Sequence, residues 1–161
     1  MFIQHTLETA PAASRPILAR NNHKAVGLLA ESPEMLTGFL QASDLFESST
    51  LDPLSREVVV MTIAVRNGCQ VCVAMHTGRL RQIEGGPELI PALRTGDSLA
   101  DPRREALRQF TLRVVETAGE VPEEEIAEFT RAGYTNRNAL EVVLGIGAYT
   151  MSTLANRLVR A

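Results

Sequence analysis

Residues 53–84 decide the fold, and they read PLSREVVVMTIAVRNGCQVCVAMHTGRLRQIE. Residues 53–66 are apolar on almost every side, which is typical of a helix buried inside a protein. The β-branched run Val58–Val60 is also compatible with a strand. We prefer a helix because the apolar run is long and no hairpin turn flanks it.

Asn67 and Gly68 follow this helix and suit the left-handed backbone at which many helices end. A second helix is predicted from Cys69 to about Glu84, before the glycines and proline of residues 85–87. Because the turn between them is short, the two helices should run antiparallel. Similar start and stop signals elsewhere predict further helices and no strand, so the predicted fold class is all-α.

The chain is predicted to divide into two parts. Residues 1–20, which include Pro11 and Pro16, read as an irregular N-terminal arm, and residues 21–161 read as one compact helical domain. The helix at 53–66 and the last helix, predicted at about 136–159, carry more apolar surface than one small core would use. That surplus predicts burial of helices in an oligomer interface.

Composition argues against several classes of partner. The formal net charge is −3, and no strong basic cluster stands out. The nearest candidates, Arg79 with Arg81 and Arg103 with Arg104, are interpreted as solvated helix faces, so no nucleic acid is expected. The first residues do not resemble a signal peptide, and no apolar run reaches the ~20 residues of a membrane span. We therefore expect a soluble, cytoplasmic protein.

The only two cysteines, Cys69 and Cys72, are followed by His76. On a helix these three residues share one face, since they are three and four positions apart. A pair three positions apart lies within the range that a disulfide can bridge. The positive end of the helix favours thiolates, and His76 can take a proton from Cys72. In a reducing compartment such a pair is reactive or metal-binding rather than a structural crosslink.

Glu57 is predicted to join this group from the preceding helix. It lies ten residues before the turn at 67–68, and His76 lies eight residues after it. At 1.5 Å per residue both sit about 12–15 Å from the turn. A carboxylate in an apolar run needs a partner, and His76 is the best placed. Glu57 would then orient the imidazole and stabilise its positive charge.

Other interpretations of these residues remain open at this point. The cysteines could be small buried hydrophobic residues, and Glu57 could lie on an exposed helix edge. Cys69, Cys72, His76 and Glu57 could together bind zinc, although structural zinc usually takes two spaced ligand pairs and the second pair is missing. We predict no metal.

Four further polar residues receive weaker predictions. His5 and His23 have no partner in the local sequence and are predicted to face solvent. Tyr149 and Asn156 could approach the cysteines from the last helix. Core packing is the preferred role for Tyr149, and an interface position is the preferred role for Asn156.

The spacing of the four site residues resembles a known family. The pattern is similar to that of the alkylhydroperoxidase D (AhpD)-like branch of the carboxymuconolactone decarboxylase family. It consists of Glu57, then eleven residues, then Cys69-x-x-Cys72-x-x-x-His76. Further agreement lies in residues 54–57, 67–69, 132–134 and 153–156. The resemblance covers about residues 30–158.

The resemblance implies an all-helical fold, assembly into trimers or hexamers, and thiol-dependent reduction of hydroperoxides. It implies that Cys72 attacks the peroxide, that Cys69 resolves the sulfenic acid, and that His76 and Glu57 relay protons. The redox-active Cys69–Cys72 disulfide would serve in place of a separate cofactor. The reductant would be a dithiol carrier such as a lipoyl protein or a thioredoxin-like protein. Val71 departs from members that carry a second histidine between the cysteines, which predicts a simpler relay.

Alternatives remain for the order of attack and for the activity. The helix dipole favours Cys69 as the nucleophile, whereas the imidazole of His76 favours Cys72, and we prefer Cys72 because a paired imidazole should promote the thiolate more strongly. A second hypothesis is a protein dithiol–disulfide oxidoreductase. A third is a redox-sensing or structural oligomer without peroxide turnover. Lactone decarboxylation is not expected, because the decarboxylase branch lacks the cysteine pair.

Overall fold

Nine α-helices and no strand make up the fold, which confirms the predicted all-α class. The computed structural model describes residues 1–161. In chain order the helices are α1 (Arg15–Arg20), α2 (Lys24–Leu29), α3 (Pro33–Glu47), α4 (Pro53–Arg66), α5 (Gln70–Leu80), α6 (Gly86–Thr95), α7 (Pro102–Glu116), α8 (Glu123–Arg131) and α9 (Asn136–Leu158).

Helix α4 lies at the centre of the molecule. It begins where the Asp52 side chain accepts a hydrogen bond from the Ser55 amide at 3.0 Å and where Pro53 occupies the first turn. Both features favour a helix start. Helices α5, α6, α7 and α9 all pack against α4. The run Val58–Val60 is completely buried among them, so the strand alternative for this run is wrong.

The long helix α9 forms the second support of the core. It begins with a capping box, in which the side chains of Thr135 and Asn138 each bond the backbone amide of the other residue. Its most extensive contacts are with α3 and α4. The face of α9 nearest the cysteines is therefore fixed by packing on both neighbours.

Helix α5 is shorter than the sequence predicts. Cys69 is its N-cap and the helix ends at Leu80 rather than near Glu84. The following residues form tight turns, which are closed by amide-to-carbonyl bonds three residues apart. A Cβ atom on Gly86 would lie 2.0 Å from the Leu80 carbonyl oxygen, so only glycine fits this close return of the chain.

The N-terminal arm is more ordered than an irregular segment. Residues Ala12–Ser14 form a 3₁₀ turn that leads into α1. The predicted exposure of His5 is wrong, because the residue is 8% exposed and its ring contacts the Glu31 carboxylate at 2.6 Å. The Ser14 hydroxyl also donates to the Ala30 carbonyl at 2.7 Å. These bonds attach the first residues to α2 and to the start of α3.

The predicted surplus of apolar surface is present on only one of the two helices. Helix α4 has none, because its apolar side chains are covered within the chain. Helix α9 keeps exposed Leu140, Val143, Leu154 and Leu158, which are 48–74% exposed. None of the nine helices combines the length and the apolarity that a transmembrane span requires.

Candidate active site

A buried carboxylate–imidazole pair joins α4 to α5. The Nδ1 atom of His76 donates to the Glu57 carboxylate at 2.8 Å, and the two residues are 6% and 2% exposed. The prediction that Glu57 and His76 lie at similar distances from the turn, on antiparallel helices, is therefore confirmed. Because Nδ1 carries the proton of this bond, Nε2 is the nitrogen that can accept one from a nearby acid.

The two cysteines occupy the first turn of α5 and are bonded to each other. Their Cα atoms are 5.3 Å apart, within the range of disulfides. They differ in surroundings. Cys69 is 1% exposed and lies in the main core, whereas Cys72 also borders the pocket described below. Of the two sulfur atoms, that of Cys72 is the one that a small molecule in this pocket would meet.

A pocket of about 200 Å³ places Cys72 and His76 on one wall. Helices α2, α3, α5 and α9 enclose it. Its apolar lining consists mainly of Val26, Leu29, Leu36, Phe39, Leu40 and Met75. Larger clefts of about 510 Å³ lie between α7 and α8 and beside α6, but neither contains a thiol or a histidine. The smaller pocket is therefore the one with chemistry available to a bound molecule.

Arg79 extends the charged group toward solvent, which the sequence interpretation missed. Its Nε lies 3.5 Å from Glu57, and its terminal nitrogen lies 3.0 Å from Glu47 at the end of α3. Burial opposes the charge of Arg79, but the two carboxylates outweigh it and raise the pKa of the guanidinium. The sequence signal for this contact was the position of Arg79, which lies three residues after His76 on the same helix face.

Tyr149 packs against the other side of His76. The two rings meet edge to face with centroids 5.3 Å apart, and the phenol oxygen lies 3.2 Å from the Ser43 hydroxyl. Burial raises the pKa of Tyr149, so the phenol remains neutral and helps to hold the imidazole plane. Tyr149 thus packs in the core and borders the pocket at once.

Asn156 reaches the sulfur from the last turns of α9. Its Nδ2 atom lies 3.5 Å from Cys72 Sγ and 3.4 Å from the Ser152 hydroxyl. The sequence favours an interface position for Asn156, whereas these distances place its side chain beside Cys72. His23 is exposed, as predicted, and it also lies at the edge of the same pocket, where its Nδ1 accepts the Ala25 amide and caps α2.

The four residues weighed as zinc ligands are bonded to one another in pairs. No three His, Cys, Asp or Glu side chains are arranged to hold a metal ion. The two sulfur atoms are bonded to each other, and the Nδ1 atom of His76 is bonded to Glu57. What the arrangement offers chemically is a dithiol–disulfide pair with a proton acceptor beside it.

Comparison with solved structures identifies the fold. An uncharacterized peroxidase-related protein from Ralstonia eutropha JMP134, described as an alkylhydroperoxidase AhpD core, superposes with a TM-score of 0.82 at 21% identity, over 98% of this chain and 88% of that one. A peroxidase-related protein from Silicibacter sp. TM1040 gives 0.78 at 17% identity, over 98% and 88%. At these identities the similarity establishes the fold and not the activity.

A third structure and the sequence comparisons agree with this assignment. A protein of unknown function from Agrobacterium tumefaciens, likened to the antioxidant defence protein AhpD, gives a TM-score of 0.62 at 21% identity, over 80% of this chain and 88% of that one. No curated protein shows significant sequence similarity to the chain. Residues 30–111 match the profile of the carboxymuconolactone decarboxylase family. The chain therefore belongs to the carboxymuconolactone decarboxylase family.

Proposed function

We propose that the protein reduces organic hydroperoxides with the thiols of Cys69 and Cys72. The observation that carries the proposal is the position of Cys72, which borders the pocket beside His76 and is bonded to Cys69. A nucleophile, a proton carrier and a second thiol are the parts that such a reaction needs. All of them meet within the first two turns of α5 and the facing part of α4.

In the first step the Cys72 thiolate attacks the distal oxygen of the hydroperoxide. A sulfur–oxygen bond forms, the oxygen–oxygen bond breaks, and Cys72 becomes a sulfenic acid. The leaving alkoxide takes a proton from the His76 imidazolium and departs as an alcohol. His76 had gained that proton from the Cys72 thiol, so the imidazole carries it from one reactant to the other.

In the second step Cys69 attacks the sulfenic sulfur of Cys72. The disulfide forms and the hydroxyl group leaves as water, with the proton supplied by the Cys69 thiol. The short Cα–Cα distance of 5.3 Å supports this step, because the helix turn need not open for the sulfur atoms to bond. One hydroperoxide is reduced to alcohol and water while two thiols are oxidised.

An external dithiol is proposed to return the disulfide to its thiols. A lipoyl protein or a thioredoxin-like protein has suitable chemistry, since a dithiol reduces a disulfide through a mixed-disulfide intermediate. A cytoplasmic location, where such carriers are kept reduced, is part of this proposal.

Glu57 is proposed to act through His76. Its carboxylate accepts the Nδ1 hydrogen and so keeps Nε2 available to the thiol. The negative charge also stabilises the imidazolium that forms when Cys72 ionises. The Arg79 guanidinium, 3.5 Å away, places a positive charge beside this buried carboxylate.

We also propose that the protein works as a homo-oligomer, either a trimer or a hexamer. The exposed leucines and valine on α9 support association, because a face of this kind is unfavourable in water. Light scattering during gel filtration would measure the mass, and a monomer at micromolar concentration would contradict this part of the proposal.

The function is tested by steady-state consumption of cumene hydroperoxide with dihydrolipoamide as the reductant. We expect turnover by the wild-type protein and none by Cys72→Ser. Reduction of a protein disulfide without peroxide turnover would favour the dithiol–disulfide oxidoreductase. A redox-dependent change of assembly without either activity would favour the sensing oligomer. Both of these outcomes would reject the peroxidase.

A further inference from the structure

The last turns of α9 hold the short turn that precedes Cys69. The Arg157 guanidinium donates a hydrogen bond to the backbone carbonyl of Asn67 at 2.7 Å. The side-chain amide of Asn67 donates to the Thr153 hydroxyl at 2.9 Å. Asn67 thus accepts one bond from α9 and donates another, although its partners are 90 and 86 positions further along the chain. We call Asn67, Thr153 and Arg157 the α9 clamp.

The turn that the clamp holds decides where Cys69 lies. Residues 67 and 68 connect α4 to α5, and Cys69 follows them as the N-cap of α5. Gly68 has a φ of +65°, and glycine is the residue with the most backbone freedom. The guanidinium carbon of Arg157 lies 3.8 Å from the place that a Cβ atom on Gly68 would take. The contacts from α9 therefore restrict a turn that would otherwise let Cys69 move.

The two cysteines differ in how much they depend on such contacts. Cys72 lies inside α5, where regular helix bonds fix its backbone, whereas Cys69 precedes the first helical residue. The same stretch of α9 also reaches Cys72, since Asn156 Nδ2 lies 3.5 Å from its Sγ atom. The distance between the two sulfur atoms in the reduced protein therefore depends mainly on how firmly the turn before Cys69 is held.

We propose that the α9 clamp positions Cys69 for its attack on the sulfenic acid of Cys72. This inference rests on the proposed peroxidase function and adds positioning residues for its second step. The rate of a reaction between two groups of one chain depends on their effective concentration, which falls when one group samples other conformations. The clamp keeps Cys69 beside Cys72 when no disulfide joins them.

The clamp acts on one step of the cycle. In that step the Cys69 sulfur bonds the Cys72 sulfur, the sulfur–oxygen bond breaks, and the hydroxyl group leaves as water with the proton of the Cys69 thiol. The first step uses Cys72, His76 and Glu57, none of which is hydrogen-bonded to the clamp. Loss of the clamp should therefore slow the second step and leave the first nearly unchanged. A general loss of stability would not separate the two steps in this way.

Slow disulfide formation has a chemical consequence for Cys72. A sulfenic acid that persists can react with a second hydroperoxide, which transfers its oxygen to the sulfur and leaves as an alcohol. The product is a sulfinic acid, which thiols do not reduce. The clamp should therefore protect Cys72 from irreversible oxidation during turnover.

The test mixes fully reduced protein with one equivalent of cumene hydroperoxide and adds dimedone at increasing times. Mass spectrometry then counts the labelled sulfenic acid and the disulfide. We expect Asn67→Ala and Arg157→Ala to form the disulfide at least about threefold more slowly, because each loses one hydrogen bond of the clamp. The rate of hydroperoxide consumption should stay within about twofold of wild type, and sulfenic and sulfinic acid should accumulate on Cys72.

Two further variants separate the clamp from the charge of Arg157. Arg157→Lys keeps a donor that can reach the Asn67 carbonyl, so its rate of disulfide formation should lie between wild type and Arg157→Ala. Arg160→Ala is the matched control, because it removes the same charge just beyond the end of α9. Arg160 is exposed and does not bond Asn67, so its loss should leave both rates within about twofold of wild type.

A second measurement involves no peroxide. The protein is equilibrated with mixtures of reduced and oxidised dithiothreitol, and the fraction that carries the Cys69–Cys72 disulfide is counted. The effective concentration of the two thiols also sets this equilibrium. We expect the equilibrium constant for disulfide formation to fall about threefold in Asn67→Ala and Arg157→Ala and to stay unchanged in Arg160→Ala.

Each outcome decides the inference. Clamp variants that match Arg160→Ala in both measurements would overturn it, and so would equal slowing of the two chemical steps. If Asn67→Ala fails to fold by circular dichroism, the two variants of the exposed Arg157 decide. A wild-type protein that forms the disulfide in dithiothreitol but not with hydroperoxide would reject the peroxidase function. The dithiothreitol equilibria would then decide alone: a shift in the clamp variants would support the positioning of Cys69, and no shift would refute it.

Discussion

Replacement of Glu57 by glutamine removes one buried charge and keeps the shape of the side chain. The amide oxygen can still accept the His76 Nδ1 hydrogen, so the ring keeps its orientation. A hydrogen bond to a charged group contributes about 1.5–3 kcal/mol and a neutral one about 0.5–1.5 kcal/mol. The substitution should therefore weaken the stabilisation of the imidazolium by about 1–1.5 kcal/mol.

That loss corresponds to about a tenfold lower rate of Cys72 oxidation at pH 7, since 1.36 kcal/mol is a factor of ten. Stopped-flow mixing of the reduced protein with excess cumene hydroperoxide would measure the rate. The pH profile of iodoacetamide alkylation of Cys72 should move upward by about one unit in the same variant.

Glu47→Gln is the matched control for this prediction. Glu47 also pairs with Arg79, at 3.0 Å, but it has no contact with His76. Its loss should change the rate less than about threefold, because it acts on a half-exposed guanidinium. A Glu57→Gln protein that oxidises at the wild-type rate, or only as slowly as Glu47→Gln, would remove Glu57 from the mechanism.

Three further predictions concern the thiols and the stability of the fold. Cys69→Ser should still react once with peroxide and accumulate a sulfenic acid on Cys72, which dimedone labelling would detect. A sulfenic acid that forms instead on Cys69 in the Cys72→Ser protein would show that Cys69 is the attacking thiol. Gly86→Ala should lower the free energy of unfolding in urea by about 2–3 kcal/mol, since its Cβ would lie 2.0 Å from a backbone oxygen. Gly78→Ala, with nothing within 4 Å of the new Cβ, should be neutral or stabilising by up to about 1 kcal/mol, and equal effects at the two sites would contradict this reasoning. At Glu105 burial opposes ionisation, but hydrogen bonds from an arginine, a backbone amide and a glutamine lower the carboxyl pKa to about 2. Its contribution, at most about 3 kcal/mol, should be complete above about pH 4.5 and be lost as the pH falls toward 2, and Glu105→Gln should flatten that part of the stability profile.

The Glu57–His76 contact could be predicted from the sequence because it depends on local rules. Two helices joined by a short turn run antiparallel, and a constant rise per residue places equal counts at equal depth. The caps at Asp52 and Thr135 are similarly local, since each bonds an amide three residues away. Such features need no knowledge of the rest of the fold.

The remaining parts of the site depend on packing that the local pattern does not encode. Glu47 pairs with Arg79 only because α3 ends beside α5, and Phe39 borders the pocket for the same reason. His5 is buried against Glu31, a residue twenty-six positions away. Neither contact produces a periodic signal in the sequence.

The end of α5 shows the same limit at a boundary. Residues 81–84 keep a helical pattern of polar and apolar residues, so the sequence predicts that the helix continues. The chain instead folds back through tight turns until Gly86 meets the Leu80 carbonyl. The close approach that requires glycine there becomes visible only with the backbone in place.

The central claim is tested most directly by a single turnover without added reductant. Fully reduced protein is mixed with one equivalent of cumene hydroperoxide, free thiols are counted, and the modified peptides are identified by mass spectrometry. We expect both thiols of each chain to be lost per hydroperoxide consumed, with cumyl alcohol as the product and a Cys69–Cys72 disulfide in the peptides. Thiols that remain free while the hydroperoxide is intact would contradict it.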